Sequence, residues 1–286
     1  MKIFVTGGTG FIGSHFLKTA LAAGHEVIAI RRLGSQPKFP IEGQIQWIDA
    51  DLSTVDFQTL GDLNNACLVH FAAYGVSPQL CEWDTAFHFN VGKSILLLKS
   101  AVKAGIPRAV VCGTCLEYGR SADHFEFVPP HAPLEPIGAY ATSKAAQTVA
   151  LSGMARELNI EMAILRPFNV FGDGQHSSNF WPSLRRAALA GEDFPMTSGE
   201  QVRDFIEVSS VAEIFLHAAT SKHLRPGEPV IQNVGTGTPL TLRAFAEAQW
   251  KAAGATGTIL PGVIPMRANE VMRYVPAIEN FSKNNF

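Results

Sequence analysis

A chain of 286 residues with 47% apolar side chains is long enough to bury a sizeable core, as one large domain or two fused ones. Its formal net charge of −2 supplies no global basic field, which disfavours nucleic acid and anionic membranes as partners and makes any phosphate recognition local. No apolar run of about 18 residues is present to span a bilayer, the N-terminus opens directly on a core strand, and four cysteines in so long a chain make no disulfide framework; the expectation is a cytoplasmic protein with reduced thiols and no metal.

In chain order, Lys2-Ile3-Phe4-Val5 is a short apolar strand that runs into Thr6-Gly7-Gly8-Thr9-Gly10-Phe11-Ile12-Gly13. A strand ending in a glycine-rich turn aims the backbone N–H groups of the next helix at one point, which suits a pyrophosphate. Gly7 permits the tight turn, Gly10 lets the backbone approach the ligand and Gly13 allows close packing of helix on strand, with Phe11 and Ile12 in the helix's first turn. Apolar spacing predicts a helix over 11–23 stopped at Gly24, strands at 26–30 and 45–48, a helical segment near 53–61 and a strand at 67–71. A helix over 82–104, ended by Gly105 and Pro107, precedes a strand at 108–112, a helix over 140–158 and a strand at 161–165. This alternation predicts an α/β fold with a doubly wound parallel sheet and ligands outside the carboxyl ends of its strands. After 167 the chain turns to glycine, proline and aromatic residues. The expectation is a dinucleotide-binding domain over 1–167 and a smaller substrate-binding lobe over 168–286, with segments returning to the first.

A second signal lies at Tyr140-Ala-Thr-Ser-Lys144, which puts a phenol and an ammonium one helical turn apart on one face. A nearby cation favours phenolate, so the phenol's pKa is expected to fall toward the working range for proton transfer. Thr114, just beyond the strand at 108–112, would bring a hydroxyl to a substrate oxygen beside them. Cys112-Gly-Thr-Cys115 has redox spacing, but it follows the apolar run Ala109-Val110-Val111 and has no second ligand pair, so it reads as strand-end packing.

Taken in order, Thr6–Gly13, Asp51-Leu52, His70-Phe-Ala-Ala73, Asn90-Val91, Thr114 with Tyr118-Gly119, Tyr140/Lys144, Arg166-Pro-Phe-Asn-Val-Phe-Gly172, Arg203-Asp-Phe-Ile206, Asn233-Val-Gly235 and Pro265-Met-Arg-Ala-Asn-Glu270 resemble the extended short-chain dehydrogenase/reductases of the nucleotide-sugar epimerase/dehydratase group. The resemblance runs over nearly the whole chain and implies a Rossmann-like fold and a nucleotide-diphosphate sugar as substrate. By it, Thr114, Tyr140 and Lys144 would be catalytic, with Tyr140 and Lys144 also at the cofactor and Lys144 holding the nicotinamide ribose. Asp51 would hydrogen-bond the adenine with Leu52 beside it, Ala72 and Ala73 would line the cofactor channel, and Pro167 and Val170 would border the nicotinamide. Asn169 would contact the sugar nucleotide, while Arg203 and Arg267 would neutralise its diphosphate. Asn90 and His70 read as structural. The helices at 82–104 and 140–158 would form a homodimer, although the Ile95-Leu-Leu-Leu98 run fits a core equally well.

Departures from the group narrow the reaction. Sugar 4,6-dehydratases carry an aspartate and a glutamate after the threonine; here stand Cys115 and Leu116, and neither can do that acid–base step. At the end of the second strand, where NAD-binding relatives place an acid, stand Arg31 and Arg32, which pair well with a 2′-phosphate, so NADP(H) is favoured over NAD(H). With a tail similar to that of CDP-abequose and CDP-paratose type 4-ketoreductases, the leading expectation is NADPH-dependent reduction of a nucleotide-linked 4-keto-6-deoxyhexose at C4. The alternatives are an NAD-dependent nucleotide-sugar 4-epimerase and a non-catalytic dinucleotide sensor.

Overall fold

The computed structural model describes residues 1–61, 63–76, 81–267 and 270–278. The first half runs β1 (Lys2–Thr6), α1 (Phe11–Ala22), β2 (Glu26–Arg31), β3 (Ile45–Asp49), β4 (Ala66–His70), α2 (Trp83–Phe87), α3 (Ser94–Lys103), β5 (Arg108–Cys112), α4 (Gly138–Glu157) and β6 (Glu161–Pro167). The second half continues with β7 (Asn169–Phe171), α5 (Phe180–Ala190), β8 (Phe194–Met196), β9 (Val202–Arg203), β10 (Phe205–Glu207), α6 (Val208–Thr220), β11 (Val230–Val234), β12 (Leu240–Thr241), α7 (Leu242–Ala252), β13 (Ile259–Pro261) and β14 (Arg273–Tyr274).

Seven strands form one sheet in the order β11-β6-β5-β4-β1-β2-β3, every neighbouring pair parallel. Alternation along each strand decides the two cores. Ile3, Val5, Val27, Ala29 and Val69 face α1 and α6, where they meet Phe16, Leu17, Ala212 and Phe215. Phe4, Ile28, Ile30, Leu68 and Val111 face α3 and α4 and meet Leu97, Leu98, Leu151 and Ala155. The result is a Rossmann-like three-layer sandwich. Because β4 returns beside β1 after β2 and β3 have been added on the other side, the strand order reverses between β1 and β4, and a crevice opens outside their carboxyl ends.

All six expected strands form, within a residue or two of their predicted bounds. Three helical expectations change. The segment near 53–61 is only a tight turn, Phe57–Leu60, capped by Asp56, whose carboxylate accepts from the Gln58 amide. The helix expected over 82–104 is interrupted by a wide turn at His88–Lys93, which brings buried Asn90 inward. The helix expected from 140 starts at Gly138. Beyond 168, β11 enters the main sheet beside β6 and α6 packs against α1, while β8 pairs β13 and β9 pairs β12 and β14 outside it. In the run proposed for dimerisation, Leu97 and Leu98 are core; Leu96 on α3 and Val149 on α4 are exposed. Among the described residues no helix is long and apolar enough to cross a membrane.

Phe215 is fully buried on α6 with its ring 4.8 Å from that of Phe71, which in turn packs against Phe16. Phe215→Ala is expected to lower unfolding stability by about 3–5 kcal/mol in a urea titration, the cost of an emptied aromatic site in a closed core.

Candidate active site

The first part of the site is a cradle made by β1 and the turn after it. Gly7 has φ of +71°, and a Cβ there would sit 2.5 Å from the Ala72 nitrogen; only glycine tolerates both. A Cβ on Gly13 would run into the Gly7 carbonyl oxygen. The turn is closed by Gly10 N–H donating to Gly7 O at 2.9 Å, and Ser14 Oγ donates to Gly10 O at 2.7 Å. No side chain caps α1, whose first turn holds Phe11 and Ile12 and no acid. Its leading N–H groups are therefore available to an anion, which is the fit a dinucleotide pyrophosphate requires. Half-buried Ala72 and Ala73 follow β4 on the other side of this turn.

The second part lies at the ends of β5 and β6. Thr114 leaves β5 with its hydroxyl beside the Tyr140 phenol on α4. Lys144, one turn further along α4 and 2% exposed, donates to the Cys112 carbonyl at 2.7 Å and to Gln147 Oε1. Gln147 Nε2 donates to Ser94 Oγ at 2.8 Å, His70 Nε2 lies 2.9 Å from the same oxygen, and His70 Nδ1 lies 2.6 Å from Thr6 Oγ1. A buried polar chain thus links Lys144 to the last residue of β1. Asn90 ties its wide turn to the Tyr74 backbone and to Ser143 Oγ on α4. Pro167 is buried at the end of β6; Asn169 and Val170 are half-buried beyond it, with Asn169 Nδ2 donating to the Asp204 carbonyl at 3.0 Å.

With this geometry in view, the family model described as the NAD dependent epimerase/dehydratase family matches residues 3–235. The chain belongs to that family. UDP-arabinose 4-epimerase 1 of Arabidopsis thaliana is 26% identical over 306 aligned positions, covering 94% of this chain and 70% of that protein. The UDP-glucose 4-epimerase of Thermus thermophilus, solved in complex with NAD, superposes with a TM-score of 0.79 at 26% identity over 97% of this chain and 90% of its own. The UDP-N-acetylglucosamine 4-epimerase of Methanobrevibacter ruminantium shares the fold at a TM-score of 0.87 and 24% identity, over 100% of this chain and 92% of that one.

Within this epimerase/dehydratase scaffold, several expected contacts are rearranged. Arg31, read as half of a 2′-phosphate clamp, is already engaged: Nε donates to Asp49 at 2.9 Å, Nη1 donates to the Ser35 carbonyl at 3.0 Å, and the guanidinium lies 4.6 Å from the Trp47 ring centre. Only Arg32 remains exposed there, and the preference for NADP(H) finds no support in relatives solved with NAD. Asp51, expected to meet the adenine, receives Lys93 at 2.5 Å together with the Ser53 hydroxyl and amide, and these bonds hold its carboxyl down at about 2. Leu52 beside it is buried. Arg203 is expected to meet a diphosphate, yet its Nη2 donates to Glu270 at 2.6 Å and to the Val271 carbonyl at 2.8 Å, which ties β9 to the segment leading into β14. Arg267 is exposed. Ala268 and Asn269 of the tail motif lie outside the described residues.

Electrostatics also correct the expected phenol. Burial raises the Tyr140 pKa above its ordinary value, and the Thr114 hydroxyl opposes this; Lys144 donates to Cys112 O and Gln147 rather than to the phenol. Burial lowers the Lys144 pKa itself. The thiols of Cys112 and Cys115 are pushed up by burial to about 11 and about 12 and stay protonated near neutrality. Among the described residues there is no group of three or more His, Cys, Asp or Glu that could hold a metal. Sequence reasoning missed Gln147, Glu117 and Asp204; the helical spacing of Gln147, three residues after Lys144, and the capping-box spacing of Thr114 and Glu117 could have flagged the first two.

His70, 2% exposed, is lowered by burial from 6.5 to about 3. Between those values the unfolded chain holds a proton that the folded chain refuses, so the fold carries no penalty from His70 above about 6.5 and loses stability progressively as pH falls toward about 3. His70→Gln is expected to flatten that part of the stability profile, read from urea midpoints between about pH 7 and about pH 4.

Proposed function

We propose that this chain is an NAD-dependent nucleotide-sugar 4-epimerase that acts on UDP-linked sugars. The observation that carries the reading is the Tyr140 phenol beside the Thr114 hydroxyl, backed by buried Lys144, at the carboxyl ends of the same sheet as the glycine cradle. The 4-epimerase relatives support the choice of reaction. A nicotinamide dinucleotide bound at the cradle supplies a reversible hydride acceptor.

The chain's own residues handle the proton and the orientation. Tyr140 Oη takes the proton from the sugar's C4 hydroxyl, and Thr114 Oγ1 holds the same oxygen. After the sugar presents its other face, Tyr140 Oη returns the proton to O4. Tyr140 is a phenolate when each turnover begins and again when it ends, and burial, which raises its pKa, opposes that ionised state while favouring the return of the proton. The taking half then depends on positive charge brought in beside it, the Lys144 ammonium and the oxidised nicotinamide. Cys115 is buried and protonated, and Leu116 is exposed and has no titratable group, so neither supplies the acid–base step of a dehydratase.

The NADPH-dependent ketoreductase rests on Arg31, Arg32 and the tail motif, and Arg31 is bound to Asp49. The homodimer remains a proposal whose face would include exposed Leu96 and Val149.

Incubated with UDP-glucose, UDP-galactose or UDP-arabinose, the NAD-loaded protein is expected to interconvert 4-epimers with no net change in cofactor. Consumption of NADPH one-for-one with a ketosugar would instead support the reductase. Tyr140→Phe is expected to lower kcat by about 10²–10⁴-fold while nucleotide-sugar binding persists; undiminished turnover by that variant contradicts the mechanism.

A further inference from the structure

We propose that Glu117 is a positioning residue of this site, its carboxylate setting the turn that presents the Thr114 hydroxyl to Tyr140; this rests on the 4-epimerase reading. Glu117 is fully buried, on the tight turn Cys115–Glu117 directly after Thr114. Its Oε1 accepts from the Thr114 backbone N–H at 2.9 Å, while the Thr114 hydroxyl accepts from Leu116 N–H at 3.3 Å. The two bonds are reciprocal and fix both the backbone and the side chain of Thr114.

The other oxygen of Glu117 fastens that turn to the elements that carry the rest of the site. Oε2 accepts from Thr148 Oγ1 on α4 at 2.8 Å, one turn beyond Lys144, and from Arg166 Nε on β6 at 2.8 Å, next to Pro167. Arg166, 2% exposed, is held in turn by the Tyr118 hydroxyl at 2.9 Å and the Pro130 carbonyl at 3.0 Å. A Cβ on Gly113 would lie 2.6 Å from Glu117 Oε1, so the turn has closed tightly round the carboxylate. One side chain therefore sets the relative positions of the β5 turn, α4 and β6.

Its charge reaches the phenol as well. The groups facing Tyr140 are the Thr114 hydroxyl, Cys112 from β5, and Cys115 and Glu117 from the turn, with Arg166 from β6 behind Glu117. Lys144 lies on the same helix, and Cys81 shares the Gly75 contact with Tyr140. Burial raises the Tyr140 pKa first; of the nearby acids that add to it, Cys112 and Cys115 are themselves pushed up to about 11 and about 12, which leaves the carboxylate of the Glu117–Arg166 ion pair as the charge that acts. Neutralising Glu117 should therefore make the phenol easier to ionise.

Two variants separate position from charge in the NAD-loaded protein. Glu117→Asp keeps the charge and shortens the reach: the Thr114 amide is expected to lose protection in hydrogen exchange, and kcat to fall by about 10²-fold while KM for the UDP-sugar stays within about twofold. Glu117→Gln keeps the length and removes the charge: the acid limb of kcat/KM is expected to move down by about one pH unit. Folding of each variant is checked by its thermal transition; where Glu117→Gln does not fold with Arg166 unpaired, Glu117→Asp carries the test. A folded Glu117→Asp protein with a protected Thr114 amide, with wild-type kcat, or with kcat, KM and NAD affinity all worsened together overturns the proposal. A wild type that converts no UDP-sugar defeats the 4-epimerase reading alone, since Thr114 amide exchange needs no substrate and still decides the positioning.

Discussion

The rest of the site depends on one buried contact, the pairing of Thr6 at the end of β1 with His70 at the end of β4. These residues are partners in the strand register and are joined by a 2.6 Å hydrogen bond between Thr6 Oγ1 and His70 Nδ1. They stand where the strand order reverses, the place at which a doubly wound sheet opens a crevice. From His70 the polar chain runs through Ser94 and Gln147 to Lys144, so the glycine cradle and the candidate proton-transfer group are fastened to a common strut. An unpaired polar group in such a layer would cost about 1–3 kcal/mol, and each member of this chain has a partner. Specificity of geometry follows from that satisfaction, because a rotamer change anywhere leaves a buried donor or acceptor without its bond.

Close backbone approach does the complementary work. Gly7 lets the β1 turn press against Ala72, and the Phe71 amide donates to Thr6 O at 3.0 Å. The space outside the β1 and β4 ends is consequently walled by backbone on two sides and fringed by α1 N–H groups. On the far side of β5, the Glu117–Arg166 pair performs the same service for the Thr114 turn. A buried ion pair of this kind offers little net stability, since desolvation offsets its attraction; its value here lies in joining three elements at one point.

Local signals in the sequence were enough for the strands of the first half, the glycine turn and the Tyr140/Lys144 spacing, because each is written within a few neighbouring residues. The seventh strand, Val230–Val234, was not, since Gln232 and Asn233 break its apolar run and its place beside β6 is set by tertiary pairing. The segment near 53–61 carries helical apolar spacing, yet Asp56 caps a single tight turn there and Gly61, at φ of 84°, ends it. Arg31 and Arg203 show what a charge read from sequence leaves out. Their charges suggested phosphate, but each is matched by an acid, Asp49 or Glu270, that the strand register or loop path brings alongside. The long-range ties of Glu117 and Gln147 could not be read for the converse reason: their partners Arg166 and Ser94 lie 49 and 53 residues away in sequence.

The central claim is that Tyr140 and Thr114 govern a proton at O4 while hydride leaves C4 and returns to it within one closed site. The most direct measurement is the fate of deuterium at C4 of UDP-glucose during conversion by the NAD-loaded protein in ordinary water. The account predicts UDP-galactose that retains the label at C4, with none lost to solvent. Product whose C4 hydrogen comes from solvent or from added nicotinamide cofactor would contradict it.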